Sequence, residues 1–241
     1  MTAEPLPLTG ERTVPGIPEE NYWFRRHEAA YLALARRCAG ATVLEAGCGE
    51  GYGADLLAGV ARKVIALDYD QLTAAHVART YPRVLTVRGN LATLPLADES
   101  VDVVANLQVI EHLWDQHGFL VECRRVLRPG GRLLVTTPNR ITFSPGRDTP
   151  LNPFHTRELS PSELDFLLRE AGFEVESLHG LRHGPGISGT IIERQVAVVL
   201  GDNGWPDDLL TEVKAVTAED FVITGDDLDD SLDLVAVAVK P

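Results

Sequence analysis

Residues 44–53 read LEAGCGEGYG and place four glycines within seven positions, directly after the apolar, β-branched run TVL at residues 42–44. Glycine loses more conformational freedom on folding than any other residue, so a chain seldom concentrates it without a reason. A strand that runs into such a loop can bring its backbone close to a group that side chains would exclude. We therefore expect a ligand to lie against this loop.

The spacing of the glycines is compatible with two kinds of ligand. Counted from the end of the strand, an acidic residue is followed by alternating glycines, namely Glu45, Gly47, Gly49 and Gly51. A dinucleotide-binding fingerprint, G-x-G-x-x-G/A, is also present, but it starts at Gly49 and ends at Ala54, later than the strand end favours. On this loop alone both interpretations stay open.

A second apolar segment, KVIALD, ends at Asp68, which lies 21 residues after Gly47. At this interval a carboxylate meets the hydroxyls of a ribose, in either kind of site. Further along come the turn GNL at residues 89–91, the segment LPLADESVDVV at 94–104 and the segment RRVLRPGGRLLVTTPN at 124–139. In this order, the segments resemble the class I S-adenosylmethionine (SAM) methyltransferases over residues 42–180.

This resemblance implies that the protein binds SAM. In that family the carboxylate after the second strand holds the ribose and the turn after the third strand contacts adenine. The implied cofactor-binding residues are Glu45, Gly47, Cys48, Gly49, Gly51, Asp68, Tyr69, Asn90, Leu91 and Gln108, with Trp23 and Arg26 from the N-terminal segment. We interpret Cys48 as a small packing residue and not as a nucleophile.

Strand-like and helix-like segments alternate along the chain, which predicts an α/β fold. The resemblance implies a Rossmann-like, mostly parallel sheet of seven strands whose last strand, in SLDLVAVAVKP, is antiparallel. The length of 241 residues suits one domain with a well-buried core. We therefore predict a single domain over 1–241, with an N-terminal lid at 1–40. An acidic insertion at 181–230 is expected to be irregular, with one helix near 206–216.

The N-terminal segment contains YWFRRH at residues 22–27, at the head of a predicted helix with Leu32 among its apolar positions. It resembles the lid of many methyltransferases, in which an aromatic side chain covers the cofactor and an arginine pairs with the cofactor carboxylate. Trp23 and Arg26 are the candidates for these roles. Arg25 is an equal candidate for the second, and Trp23 could equally join the helix to the sheet.

The net charge of −13 is concentrated near the C-terminus, where residues 202–233 hold eleven acidic residues and one lysine. Such a segment repels phosphate backbones, so we expect no nucleic-acid partner. No apolar run approaches the ~18–20 residues of a membrane span, and the N-terminus lacks the features of a signal peptide. Three scattered cysteines without a C-x-x-C pair fit a reducing cytoplasm. The sequence leaves open whether the protein forms a homo-oligomer.

Glu111 and His112 follow the predicted fourth strand, in the segment QVIEH. This segment resembles the E-x-x-E-H stretch of ubiquinone-biosynthesis O-methyltransferases, in which two glutamates and a histidine bind a divalent metal. Gln108 stands in place of the first glutamate, and an amide oxygen is a poorer Mg²⁺ ligand than a carboxylate. The resemblance implies Mg²⁺ bound by Glu111 and His112. The alternative is that the pair only shapes the pocket.

His155 lies in a long polar segment after the predicted fifth strand, residues 137–159, which ends NPFHTREL. Similar endings occur in sugar- and quinone-modifying methyltransferases, where the histidine faces the acceptor. We predict a catalytic role for His155, because loops on a rigid scaffold commonly carry such groups. The alternative is that His155 caps the helix predicted in SPSELDFLLREAGF.

Methyl transfer from SAM requires alignment and the removal of one proton, because the sulfonium carbon is already activated. An alcohol oxygen needs a base or a metal that lowers its pKa. His155 or His112 could be the base and Glu111 could hold the metal, which favours O-methylation over transfer to an amine, thiol or carbon.

Several segments, among them LTGERTVP, VIEHLWDQ and DDSLDL, resemble the mycobacterial 1-O-methyltransferases of methylmannose polysaccharide biosynthesis. This resemblance implies a small-molecule sugar acceptor, methylated at the 1-OH of a short 3-O-methylated mannoside. The alternatives are O-methylation of a quinol, an NAD(P)-dependent oxidoreductase and a non-catalytic SAM-binding protein.

Overall fold

A computed structural model describes residue 6 and residues 12–200 and 204–241 of the chain. Part of the predicted lid, residues 1–5 and 7–11, and residues 201–203 of the predicted insertion lie outside the described residues. Within the described ranges, no helix combines the length and the apolar character that crossing a membrane requires.

The described chain forms one sheet of eight strands in the spatial order β3-β2-β1-β4-β5-β8-β6-β7. Strands β3, β2, β1, β4 and β5 are parallel neighbours, whereas β8 runs antiparallel to both β5 and β6. The strands are β1 (Thr42–Ala46), β2 (Lys63–Asp68), β3 (Leu85–Arg88), β4 (Val101–Leu107), β5 (Leu127–Pro138), β6 (Glu174–His183), β7 (Phe221–Thr224) and β8 (Asp233–Val239).

The predicted count of seven strands is wrong by one edge strand. β7 pairs antiparallel with the end of β6, from Gly180↔Thr224 to His183↔Phe221, and extends the sheet by one strand. β7 and the last three residues of β6 lie in the segment 181–230 that was expected to be irregular. A four-residue strand among glycine, proline and acidic residues has too short an alternation to be recognised from periodicity. The antiparallel last strand and the mostly parallel sheet are confirmed.

Helices cover both faces of the sheet. Successive residues of β1 point to opposite faces: Val43 packs into a core with α1, α2, α3 and α8, and Leu44 into a second core with α4 and α6. The helices are α1 (Asn21–Leu34), α2 (Tyr52–Ala58), α3 (Gln71–Thr80), α4 (Gln116–Val126), α5 (Arg140–Phe143), α6 (Pro161–Glu170), α7 (Ile191–Leu200) and α8 (Asp207–Ala215). The helix expected near 206–216 is present.

Local sequence explains where several helices begin. The Ser160 side chain accepts from the backbone of Glu163, and the Glu163 side chain accepts in return from the backbone of Ser160, with Pro161 in the first turn. Asp115 caps α4 by accepting from the backbone N–H of Gly118. The PGG turn at 129–131 lies inside β5 as an irregularity in its pairing with β4.

A buried ion pair connects α1 to the first residue of β8. Arg26 donates through Nε and Nη2 to the two carboxylate oxygens of Asp233, at 2.7 and 2.6 Å, and both side chains are 2% exposed. Arg26 also donates to the backbone oxygen of Leu232. Leu32, expected on the apolar side of this helix, is instead 49% exposed.

We predict that Arg26→Ala destabilises the protein by about 3–5 kcal/mol, because it leaves the carboxylate of Asp233 buried without its partner. Urea unfolding measures the change. Arg169→Ala is the matched control, since Arg169 makes the same two-point contact with Asp165 on an exposed face of α6. It should leave the unfolding midpoint nearly unchanged. Equal losses in the two variants would contradict a special contribution from burial.

Candidate active site

The glycine loop, residues 47–51, turns sharply at the end of β1. Gly47, Gly49 and Gly51 have φ values of +89°, +51° and +100°, a region that side chains rarely adopt. The backbone N–H groups of Gly47 and Cys48 both donate to the carbonyl of Leu67 at 2.9 Å. A Cβ atom on Gly47 would lie 2.7 Å from Cγ1 of Val109, so only glycine fits where the loop passes the end of β4.

Asp68 joins this loop to the end of β2. One carboxylate oxygen accepts from the backbone N–H of Gly49 and the other from that of Asp70, each at 2.9 Å. Burial raises the pKa of Asp68, while these two hydrogen bonds act in the opposite direction. Asp68 therefore lies at the carboxyl edge of the sheet beside the glycine loop, where open α/β sheets bind their ligands.

The other residues of the predicted cofactor site lie around the same edge. Tyr69 is 70% exposed, and the backbone N–H of Gly89 donates to the carbonyl of Asp68 at 3.0 Å. This bond brings the turn containing Asn90 and the buried Leu91 to the end of β2. Gln108 follows β4 with a φ of +57°. It precedes Val109, the residue that the glycine loop contacts.

Two further members of the predicted set, Glu45 and Cys48, have buried side chains. The carboxylate of Glu45 is 1% exposed and accepts from the hydroxyl of Tyr31, so it connects β1 to α1. Burial raises the pKa of Glu45 to about 8. Cys48 is buried, and burial raises the pKa of its thiol. A thiol that resists ionisation in this way is a packing group and not a nucleophile.

A cluster of Glu50, His76 and Tyr81, which the sequence did not indicate, connects the glycine loop to α3. One oxygen of Glu50 lies 2.7 Å from Nε2 of His76, and the other accepts from the hydroxyl of Tyr81 at 2.7 Å. Glu50 and His76 are 6% and 7% exposed. The only sequence signal was an acidic residue between two glycines, which does not indicate a partner 26 positions away.

The residues of the predicted N-terminal lid contact different parts of the protein. Arg26 is engaged with Asp233, and its guanidinium carbon lies 5.3 Å from the centre of the Trp23 ring. Arg12, which the sequence did not single out, reaches the cofactor edge instead: Nη1 donates to the hydroxyl of Thr73 and lies 3.9 Å from the carboxylate of Asp70. The backbone at Arg12 also lies close to the glycine loop, since a Cβ atom on Gly49 would be 3.9 Å from that of Arg12.

Glu111, His112 and His155 come together although two chain segments supply them. Their ligating atoms all lie within 4.8 Å of one another. The carbonyl of Glu111 accepts from the backbone N–H groups of Thr156 and Arg157, at 2.8 and 3.2 Å, which joins the segment after β4 to the segment before α6. Because α6 is capped by Ser160, the alternative that His155 caps this helix is wrong.

Hydrogen bonds indicate which nitrogen of each histidine carries the proton. Asn152 accepts through Oδ1 from the backbone N–H of Phe154, so its Nδ2 is the group that donates to His155 Nε2, at 3.1 Å. His155 Nδ1 then carries the proton and donates to Glu158 at 2.7 Å. His112 Nδ1 donates to the backbone oxygen of Phe154 at 3.0 Å. In both rings Nε2 therefore has the lone pair, and that of His155 can take up a proton once the Asn152 amide turns away from it.

Glu111 completes this cluster with a buried carboxylate. It is 1% exposed and accepts from the hydroxyl of Thr137 at 3.0 Å. Burial raises the pKa of Glu111 to about 8, and the nearby carboxylates of Asp233 and Glu158 act in the same direction. A divalent cation would favour the ionised form. The carboxylate of Glu111 and the imidazole of His112 fit such an ion, and imidazole is a better ligand for divalent transition metals than for Mg²⁺.

Comparison with known proteins identifies the family. Residues 44–135 match the model of a methyltransferase domain. A relative from Mycolicibacterium smegmatis, named "Probable S-adenosylmethionine-dependent methyltransferase", is 65% identical over 246 residues, covering 98% of this chain and 96% of its own. The protein belongs to the SAM-dependent methyltransferases. It is a SAM-dependent enzyme, and the glycine loop is therefore that of a methyltransferase and not a dinucleotide fingerprint.

Two more distant similarities agree with this assignment. A ubiquinone biosynthesis O-methyltransferase from Xanthomonas euvesicatoria is 29% identical over 175 residues, covering 64% of this chain and 72% of its own. A solved SAM-dependent methyltransferase from Thermotoga maritima superposes with a TM-score of 0.63 at 22% identity, covering 91% of this chain and 93% of its own. The second similarity supports the fold alone.

We predict that Asp68→Ala lowers the affinity for S-adenosylhomocysteine more than about tenfold, because each charge-assisted hydrogen bond to a ribose hydroxyl contributes roughly 1.5–3 kcal/mol. Isothermal titration measures the dissociation constant. Asp98→Ala is the control, since Asp98 pairs with Arg125 on the surface. An unchanged constant in Asp68→Ala would remove this residue from the cofactor site.

The raised pKa of Glu45 predicts a pH dependence of stability. Its ordinary pKa is 4.5, whereas the folded value is about 8. The folded state therefore holds a proton that the unfolded state has released, so stability contributed below pH 4.5 is lost as the pH rises towards 8. In Glu45→Gln the free energy of unfolding should fall less steeply between those limits. Glu170→Gln, an exposed control, should keep the wild-type slope.

Proposed function

We propose that the protein transfers the SAM methyl group to a sugar hydroxyl, namely the 1-OH of a short 3-O-methylated mannoside. The observation that carries this proposal is the cluster of Glu111, His112 and His155 at the carboxyl edge of the sheet. A hydroxyl oxygen is the acceptor that needs a base or a cation, whereas a neutral amine or a thiolate needs less help. The mannoside itself rests on the resemblance to the methylmannose polysaccharide enzymes.

The cofactor is proposed to lie across the ends of β1, β2 and β4. Asp68 accepts from the ribose hydroxyls, and the exposed ring of Tyr69 packs against adenine beside Asn90 and Leu91. The methionyl part follows the glycine loop towards Gln108. Because Arg26 is engaged with Asp233, we assign the cofactor carboxylate to Arg12, which lies beside the loop and is only part-buried. Trp23 remains a candidate for the rim of this site.

The chain's own residues can prepare the hydroxyl for transfer. Glu111 and His112 would hold a divalent cation, which lowers the pKa of a hydroxyl when it is bound. When the hydroxyl replaces the Asn152 amide at Nε2 of His155, that nitrogen accepts the hydroxyl proton. Glu158 stabilises the imidazolium that forms, because it already accepts from Nδ1. Mg²⁺ follows from the resemblance, but this donor set should bind Mn²⁺ more tightly.

A quinol is the second candidate acceptor. It is supported by the 29% identity to the ubiquinone biosynthesis O-methyltransferase, and a phenolic hydroxyl makes the same demand for a base or a cation. A screen with radiolabelled SAM distinguishes the candidates, using 3-O-methyl-D-mannose, D-mannose and a catechol as acceptors. We expect label in the first sugar. Transfer only to the catechol would replace the sugar with a quinol, and no transfer to any of the three would contradict both candidates.

Removal of the cation and removal of the base should have separable effects. We expect EDTA and Glu111→Gln to lower kcat to a similar extent, with no rescue of the variant by added Mn²⁺ and little change in S-adenosylhomocysteine affinity. His155→Ala should lower kcat by about 10²–10⁴-fold through the loss of the general base, while Mn²⁺ still binds. His117→Ala, on the exposed side of α4, is the control. Full activity in EDTA would exclude the cation from the mechanism.

A further inference from the structure

We propose that Trp114 is an aromatic platform against which the acceptor sugar packs during methyl transfer. This inference rests on the proposed function and adds to it a specificity-determining residue. Three features carry it: the exposure of the Trp114 indole, the rigid backbone on either side of it, and its position beside the cluster of Glu111, His112 and His155.

Trp114 is 92% exposed, more than any other large hydrophobic side chain in the described part of the chain. Single exposed apolar residues are common on protein surfaces, but a tryptophan with almost none of its surface covered is not, because its ring offers the largest apolar area of any side chain. Across residues 12–200 and 204–241, no aromatic or arginine side chain stacks on this ring. The ring is therefore available to a ligand.

The exposure of Trp114 does not come from a loose loop. The carbonyl of the preceding Leu113 accepts from the hydroxyl of Thr156 at 2.7 Å, and its N–H donates to the carbonyl of Ile110 at 3.1 Å. On the other side, Asp115 accepts from the backbone of Gly118 at 2.8 Å and caps α4. Both flanking residues are fixed to the scaffold. With the backbone held in this way, only the two side-chain torsions of the indole are ordered when a ligand packs against it.

Trp114 also lies at the edge of the catalytic cluster. It is two residues beyond His112, whose ring donates to the backbone oxygen of Phe154. Phe154 is itself 42% exposed, so apolar side chains from two segments flank the same histidine. His112 and His155 are in edge-to-face contact, with ring centres 4.9 Å apart, so Trp114 and Phe154 are chain neighbours of this histidine pair.

A pyranose has the surface that such a rim requires. Its hydroxyls project around the ring, while one face presents mainly C–H groups that can pack on an indole, and a 3-O-methyl group enlarges the apolar part. The neighbouring carboxylate of Asp115 is exposed and can accept from a sugar hydroxyl, although one of its oxygens is used for the cap. This combination recognises a neutral, partly methylated sugar better than a phosphorylated one.

Kinetics with 3-O-methyl-D-mannose test the platform. We expect Trp114→Ala to raise the acceptor KM at least tenfold with kcat within threefold, and Trp114→Phe to recover most of the affinity. The dissociation constant for S-adenosylhomocysteine and the melting temperature should not change, because a side chain that is 92% exposed contributes little packing to the fold. Phe166→Ala, which removes an aromatic ring that is 64% exposed on α6, is the control. If Trp114→Ala and Phe166→Ala give the same acceptor KM, the platform is wrong.

Tryptophan fluorescence supplies a readout that does not depend on turnover. Titration with 3-O-methyl-D-mannose should change the emission of the wild-type protein and not that of Trp114→Phe, which keeps Trp23 and Trp205. An equal response in both proteins overturns the platform. If sugar is methylated but Trp114→Ala loses activity by dissociating an oligomer in light scattering, Trp114 belongs to an interface between copies. If the wild type methylates no sugar, the proposed function fails first.

Discussion

The contact between the glycine loop and the ends of β2 and β4 is the constraint on which the rest of the site depends. Gly47 passes Val109 so closely that a Cβ atom has no room, and the carbonyl of Leu67 accepts two N–H groups from the loop. These contacts fix the three strand ends relative to one another. The proposed cofactor groups at Asp68 and Gln108 therefore share one edge. The contacts of Glu50 with His76 and Tyr81 connect the loop to α3 as well.

The proposed catalytic cluster lies at the same edge, but a different kind of interaction assembles it. Backbone hydrogen bonds from residues 156 and 157 to the carbonyl of Glu111 bring the long loop before α6 against the end of β4. His155 and His112 then meet, and carboxylate and carbonyl acceptors orient their rings. A rigid scaffold with oriented donors lowers the cost of arranging the reacting groups, which is how a methyltransferase gains rate.

Buried charge is concentrated between α1 and this edge. Arg26 and Asp233 form an ion pair, and the carboxyl groups of Glu45 and Glu111 have pKa values raised to about 8 by burial. Arg26 was expected at the cofactor because arginine in a lid often binds a carboxylate. Asp233, 207 positions away in the chain, occupies it instead. No local pattern could indicate that pairing, because it depends on where β8 enters the sheet.

Four features could be predicted from the sequence alone: the glycine loop, the strand that ends at Asp68, the helix in SPSELDFLLREAGF and the order of segments that is typical of a methyltransferase. These features are local, since backbone conformation, capping and strand burial follow from residues a few positions apart. Three other features appear only in the folded chain: the eighth strand, the pairing of Arg26 with Asp233 and the proximity of His155 to Glu111. Each of these features depends on contacts between distant segments. The energies of those contacts come from burial and packing, which no local sequence pattern indicates.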